Sequence, residues 1–387
     1  MRKIAVFTGT RAEYGLLYWI IKELNDSEEI ELQLFVGGMH LVSEFGHTVA
    51  QIEQDGFQIT DRWEFLLSSD SPVGLSKSMG LAMISAAESF ARHKPDLLVV
   101  LGDRFEALAV AQAAMVSRVP IAHIHGGEKT EGLIDEAIRH SITKMAHLHF
   151  TATEPYRGRV IQLGERPEKV FNFGAPGIDS AVRLELLSRS ELAKAIEFDL
   201  ARPYFLLTYH PVTLKSGGAW ETLENLLSAL NEYPGYQIVA SYPNADTDGR
   251  RLIQILNSYA NSYPDRVCLV HSLGQVRYLS LLKHCSAVIG NSSSGLIEAP
   301  TFGVPTLNIG SRQRGRLSGA SVLHCEESAD SISTGLRVIL SSEFRSICKN
   351  SKNPYGVGDA SKSIVNELLS HDLNGLIEKT FYDFGEE

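Results

Sequence analysis

The chain has 387 residues, enough for two domains of ordinary size, each with its own core. Hydrophobic residues make up 44% and charged ones 21%, and the net charge is −10. That balance excludes an electrostatic grip on a nucleic-acid backbone, but not a small anion held by local N–H groups and one or two arginines.

The first segment, MRKIAVFTGTRAEYG, is a short apolar run closed by Arg11 and Glu13. It predicts a first β-strand and not a signal peptide, with a helix following over residues 12–25. ELQLFVGG, DLLVVLGD, VPIAHIHGG, HLHFTAT and VFNFGAPG repeat the theme, each apolar run leading into a helical pattern. Runs this short and this apolar suit parallel strands buried on both faces, and their alternation with helices predicts a doubly wound α/β sheet.

After a charged helical stretch at about residues 184–200, the pattern restarts. YFLLTYHP, YQIVASYPN, RVCLVHSL, SAVIGNSS and PTLNIGS supply a second set of strands. The fold class is therefore two Rossmann-like doubly wound domains facing a cleft, with expected bounds 1–184 and 185–358. A third segment, 359–387, opens with a helix at Asp359 that could return to the first domain. No run approaches the roughly 18 apolar residues of a membrane span. Four widely spaced cysteines (Cys268, Cys285, Cys325 and Cys348) without a CxxC pair fit neither a disulfide frame nor a zinc site. The expectation is a reduced, soluble, cytoplasmic protein without nucleic-acid or membrane partners.

In open α/β sheets, ligands lie beyond the carboxyl ends of the strands. After the first strand, TGTRAEYG offers glycines for close approach and Arg11 as a fork for phosphate. It equally suits a tight turn with a solvated Arg, and it is neither GxGxxG nor a Walker A loop. After DLLVVLG come Asp103 and Arg104, where the carboxylate either caps the next helix or reaches a ligand. In HIHGGEKTEGLIDEAIRHSITK, alternation turns His123 and His125 to one face, and Gly126 and Gly127 free the backbone beside His125. Ile134, Ile138, Ile142 and Met145 recur at helical spacing and should face the sheet. Asp135 and Arg139 are four apart and can pair, and Asp135 also suits the first helical turn.

The second half places His210 after LLTYHP and Asn244 after SYPN. GNSSSGLIEAP sets Ser292 and Ser293 before a helix expected to contain Glu298, an arrangement of N–H donors and hydroxyls suited to a diphosphate. SRQRGR adds Arg312, Arg314 and Arg316.

Taken in order, GDRFEALA, HIHGGE, IDEAIRHSITK, HPVT, GNSSSGLIE and SRQRGRLSGASV resemble the hydrolysing UDP-N-acetylglucosamine 2-epimerases of sialic-acid synthesis. The likeness runs from TGTRAEYG to about His324 and is greatest to the bacterial capsule branch. That branch includes relatives acting on a diacetamido-6-deoxy sugar nucleotide. The resemblance implies a glycosyltransferase-B-type fold, a UDP-N-acetylhexosamine substrate, a homodimer or homotetramer, and a reaction using neither metal nor nicotinamide. The C2 proton leaves as UDP departs from C1, then water adds at C1 and a proton returns to the other face of C2. By position, Asp103 and Asp135 match the family's catalytic carboxylates. Arg11, Arg104, His210, Asn244, Ser292, Ser293, Glu298 and Arg312 match its nucleotide contacts. Many relatives carry Glu where this chain has His125; the proton carrier is then His125 or, alternatively, Glu128 reaching in from the loop. A retaining glycosyltransferase and a non-catalytic sugar-nucleotide sensor are the rival readings.

Overall fold

The computed structural model describes residues 1–69, 71–130, 134–210, 218–242, 249–270 and 273–383. The chain forms two compact units, residues 1–180 with 355–387, and residues 181–354. The bounds expected from sequence, 184 and 358, each lie four residues beyond those of the units.

In the first unit, strands β1 (Arg2–Thr8), β2 (Ile30–Gly37), β3 (Ile59–Trp63), β4 (Leu97–Leu101), β5 (Ile121–Ile124), β6 (Leu148–Thr151) and β7 (Val170–Asn172) form one sheet. Their order is β3-β2-β1-β4-β5-β6-β7, with every pairing parallel. Helices α1 (Arg11–Asn25), α2 (Val49–Gln54), α3 (Pro72–His93), α4 (Phe105–Val116), α5 (Ile134–Met145) and α6 (Glu154–Gln162) connect them. The chain leaves the unit through α7 (Pro176–Arg183). Ile4 to Phe7 and Leu97 to Val100 are completely buried, as central parallel strands covered on both faces must be. Helix α4, FEALAVAQAAMV, is rich in alanine because it is packed on nearly all sides; Ala107, Ala109, Ala111, Ala113 and Ala114 are all buried. Small side chains let it lie close to the sheet and to α3.

The second unit contains α8 (Arg189–Ala195), β8 (Tyr204–Thr208), α9 (Ala219–Asn231), β9 (Gln237–Ser241), α10 (Gly249–Ser262), β10 (Val267–Val270) and α11 (Gly274–His284). It continues with β11 (Ala287–Gly290), α12 (Ser294–Ile297), β12 (Thr306–Ile309), β13 (Val322–Cys325), α13 (Ala329–Ile339) and α14 (Ser342–Asn350). Its sheet is parallel in the order β10-β9-β8-β11-β12-β13.

Helix α15 (Ala360–Ser370) belongs to the first unit, where Ile364, Val365 and Leu368 enter the core beside Leu17, Ile20 and Leu24 of α1. The Asp179 carboxylate accepts from the Ala360 and Ser361 amides at 3.1 and 2.6 Å, capping that helix from a distant part of the sequence. No described helix is long and apolar enough to cross a membrane.

Each sheet has one place where the order of the strands reverses direction. In the first it lies between β1 and β4, and in the second between β8 and β11. These switch points are where open α/β sheets bind ligands, because the loops on either side diverge there.

Candidate active site

At the carboxyl edge of the first sheet, β4 ends in Leu101 and delivers Asp103 and Arg104, while β5 ends in Ile124 and delivers His125. Strand alternation stops at Ile124. His125 adopts φ +65°, a left-handed conformation that costs a β-carbon-bearing residue about 1–2 kcal/mol, and its amide donates to the Phe150 carbonyl at 3.0 Å. The two histidines therefore part company. His123 is fully buried, with Nε2 2.8 Å from the Gly102 carbonyl and Nδ1 3.2 Å from the Thr143 hydroxyl. Burial pushes it down to about 3, so it is a neutral core imidazole.

His125 and Glu128, alternatives in the sequence, form a bonded pair: Nδ1 lies 2.5 Å from Glu128 Oε1. An ionised carboxylate can only accept, so Nδ1 donates, and in the neutral imidazole the lone pair is then on Nε2. Nε2 is buried and meets no hydrogen-bonding partner among the described residues. Gly127 makes the turn possible; at φ +80°, a Cβ there would lie 2.3 Å from the Tyr156 carbonyl oxygen.

Arg139, expected to pair with Asp135, points elsewhere. Its guanidinium is bonded to the Asp103 carboxylate and donates to the Glu128 carbonyl at 2.9 Å, Thr130 Oγ1 at 3.2 Å and Glu136 Oε2 at 3.3 Å. The residue is 1% exposed, so this buried cation ties the ends of β4, β5 and α5 together. Asp135 is left half-buried, with no hydrogen bond to a described residue, and its charge is felt by Arg104. Ile134, expected to face the sheet, is 69% exposed, because the first turn of α5 projects past the strand ends; Ile138 and Ile142 are buried as expected. Arg11 is exposed at the start of α1.

In the second unit, the ends of β8 and β11 are joined by a reciprocal amide pair. The His210 amide donates to Asn291 Oδ1 and Asn291 Nδ2 donates to the His210 carbonyl, both at 2.8 Å. Gly290 permits this approach; a Cβ there would lie 2.0 Å from the Thr208 carbonyl oxygen. Burial, with the Arg312 charge adding to it, pushes the His210 ring down to about 4, so it is neutral at physiological pH. The Asn291 carbonyl accepts from Arg312 Nη1 at 3.0 Å and from Gln313 Nε2 at 2.9 Å.

The serine run differs from the expectation of a full helix. Helix α12 is a single turn, and Glu298 is its C-cap residue rather than part of it, followed by a 3₁₀ turn at Ala299–Phe302. Ser292 and Ser293 are half-exposed, whereas the Ser294 hydroxyl is buried against Ser292 and Tyr278. One turn has little macrodipole, so what this segment presents is amides and hydroxyls. Beside it, a cavity of about 630 Å³ opens at the ends of β12 and β13, lined by Asn308, Gln313, Arg314, Arg316 and His324 among others. Asn244 lies outside the described residues.

The sequence profile described as UDP-N-acetylglucosamine 2-epimerase matches residues 22–369. The chain belongs to the UDP-N-acetylglucosamine 2-epimerase family. It is an enzyme of that family by the same match, which spans both units. It is 38% identical over 383 residues to the GDP/UDP-N,N'-diacetylbacillosamine 2-epimerase (hydrolyzing) of Campylobacter jejuni, covering 99% of each chain. It is 39% identical over 390 residues to polysialic acid biosynthesis protein P7 of Escherichia coli, covering 100% of this chain and 98% of that one. Among solved structures, the fold is similar to UDP-GlcNAc 2-epimerase from Neisseria meningitidis bound to UDP-GlcNAc. The TM-score is 0.81 with 22% identity, covering 96% of this chain and 100% of that one.

Sequence spacing assigns Arg139 only a local pair and gives no role to Glu13 or Glu106, which lie buried in the first turns of α1 and α4. The acidic residue three places after Thr10 was the available signal for Glu13, a capping-box spacing whose Glu turns inward.

Proposed function

We propose that this epimerase-family enzyme is a hydrolysing UDP-N-acetylglucosamine 2-epimerase, converting UDP-N-acetylglucosamine and water into N-acetylmannosamine and UDP. The observation that carries the reading is the bonded His125–Glu128 pair with a bare Nε2, in the same edge as an unencumbered Asp135.

A sugar C2 proton is weakly acidic, so its removal requires a positioned base and simultaneous neutralisation of the leaving diphosphate. His125 and Asp135 are the two proton carriers, because the return of hydrogen to the opposite face of C2 needs a second group. A carboxylate tied to a buried Arg is a poor base; Asp103 instead serves as a fixed negative charge for the positive character that grows at C1 as the C1–O bond breaks. The C2–H pair becomes the C1=C2 bond of a glycal and the C1–O pair leaves with UDP. Water then adds its oxygen at C1, and the opposite proton carrier protonates C2. Arg11, Arg104, Ser292, Ser293 and Arg312 are the proposed diphosphate contacts. His210 donates or accepts as a neutral ring, Glu298 accepts from ribose hydroxyls, and Asn244 is a further nucleotide contact.

A second substrate deserves equal trial, the UDP-2,4-diacetamido-2,4,6-trideoxyglucose of the legionaminic-acid route. Relatives from Campylobacter jejuni and from Legionella pneumophila, the latter 36% identical over 377 residues, are named as diacetylbacillosamine 2-epimerases. A UDP-N-acetylglucosamine 2-epimerase of Neisseria meningitidis, 32% identical over 326 residues, favours the first substrate. Parallel turnover assays on both sugar nucleotides, following UDP release and the free sugar by NMR, decide between them. Turnover of the first at the higher kcat/KM supports the proposal, and turnover of the second alone replaces it. Transfer to an acceptor without free sugar supports a glycosyltransferase.

A further inference from the structure

Two buried carboxyls meet at the β1/β4 switch point. Glu13 Oε2 accepts the Gly9 amide at 2.6 Å, while its Oε1 is buried without a partner among the described residues. Glu106 Oε1 accepts from Arg104 Nε at 2.6 Å, while its Oε2 is likewise buried and alone. Gly9 lies beside both: its amide donates to Glu13, and a Cβ on it would lie 2.8 Å from Glu106 Cγ and 3.0 Å from Glu106 Oε1. Two ionised carboxylates sharing one guanidinium would leave a net charge in a site 4% and 1% exposed at these residues, at a cost of several kcal/mol. Each acid keeps one buried oxygen that no described group satisfies, and one proton on the pair removes the surplus charge.

We propose that Glu13 and Glu106 hold one proton between them, and that this makes them positioning residues that fix the aim and net charge of Arg104. The proposal rests on the reading of Arg104 as a diphosphate contact. With one proton present, the three groups are electrically neutral, and Arg104 is held through Nε on Glu106. Loss of the proton adds a second negative charge behind the guanidinium and draws it from the ligand.

The groups facing Glu13 are consistent with this. Its own loop offers the Gly9 and Thr10 amides, and α4 offers Glu106 and Arg104. Nearby, the turn at Gly38–Leu41 carries His40, which is bonded to Thr8 and Thr48 and pushed by burial down to about 4, hence neutral. Burial, reinforced by the Glu106 charge and opposed by the Gly9 amide and Arg104, pushes Glu13 up to about 8.

The test uses the full chain, UDP as ligand, and infrared spectroscopy in the protonated-carboxyl region. The expected result is a buried carboxyl band at neutral pH that disappears with a midpoint near 8 and is missing in Glu13→Gln. In parallel, UDP affinity of the unmodified enzyme falls by fivefold or more between about pH 7 and about pH 9.5, and Glu13→Gln flattens that dependence. Glu106→Gln, which keeps the shape but removes the Arg104 anchor charge, weakens UDP binding at every pH. Absence of the band, its persistence in Glu13→Gln, or an identical pH dependence in that variant overturns the proposal. The band is read without ligand, so it decides the shared proton even if UDP fails to bind.

Discussion

Replacing Arg139 by methionine removes the cation that joins three chain segments while retaining most of its aliphatic volume. Four bonds from the cation vanish, two to the carboxylates of Asp103 and Glu136 and two to uncharged oxygens, Thr130 Oγ1 and the Glu128 carbonyl. Hydrogen bonds to a charged group contribute about 1.5–3 kcal/mol each before solvent compensation. The two carboxylate side chains are 25% and 30% exposed, so water recovers part of the loss. The total is about 3 kcal/mol, at the low end for breaking a buried ion pair. Tryptophan fluorescence during urea unfolding can assign that loss to one unit, because Trp19 and Trp63 lie in the first and Trp220 in the second. In a Trp220→Phe background, Arg139→Met should shift the transition to lower urea. With Trp220 as sole reporter, the transition should stay put. Asp103 and the His125 loop also lose their common anchor, so turnover should fall by about a hundredfold, the usual penalty for a misplaced catalytic group. Equal stability of the variant and the unmodified enzyme would show that Arg139 does not hold the site together.

Three further outcomes follow from the same geometry. His125→Ala should lower kcat by 10²–10⁴ while UDP affinity stays within about twofold, and His125→Gly should be about 1 kcal/mol more stable than His125→Ala because it relieves the left-handed backbone; retained turnover in both would transfer the proton-carrying role to Glu128. Stability should peak near about pH 6.5. Burial lowers His40, His123 and His147 to about 4, 3 and 4, so each takes up a proton on unfolding as pH falls below their ordinary value of 6.5, on the order of 3 kcal/mol apiece. Glu13, raised to about 8, acts oppositely and costs stability as pH rises from 4.5 to 8, so denaturation midpoints measured at pH steps should fall on both sides of the maximum. Lys379 donates to the Lys144 and Ala146 carbonyls and contacts Glu165, each at 2.7 Å, closing the C-terminal end of α5. Lys379→Met should therefore speed amide hydrogen exchange in the last turn of α5 by at least tenfold, and unchanged exchange would deny the tail that role.

The central strands were legible because burial on both faces leaves unbroken apolar runs. Strands β3 and β13 were not, and both are edge strands: ITDRW has a single buried position and VLHC none, so neither differs from loop composition. The candidate edge of each sheet was legible for a topological reason, since the strand order reverses between β1 and β4 in one unit and between β8 and β11 in the other. Its wiring was not. Arg139 bonds across 36 residues to Asp103 while also holding Glu136 one turn away, and Asn291 pairs with His210 across 81. Local spacing rules do not say which of several candidates in reach a side chain takes. The inward turn of Glu13 likewise depends on Gly9 and Glu106 being brought beside it by the sheet.

Hydrogen exchange at the substrate carbon tests the central claim most directly. With UDP-N-acetylglucosamine in deuterated water, the account predicts one deuterium at C2 of the released N-acetylmannosamine, with UDP formed in equal amount. Release of sugar that keeps its original C2 hydrogen would contradict it, because no base on the β4–β5 edge would then have touched that carbon.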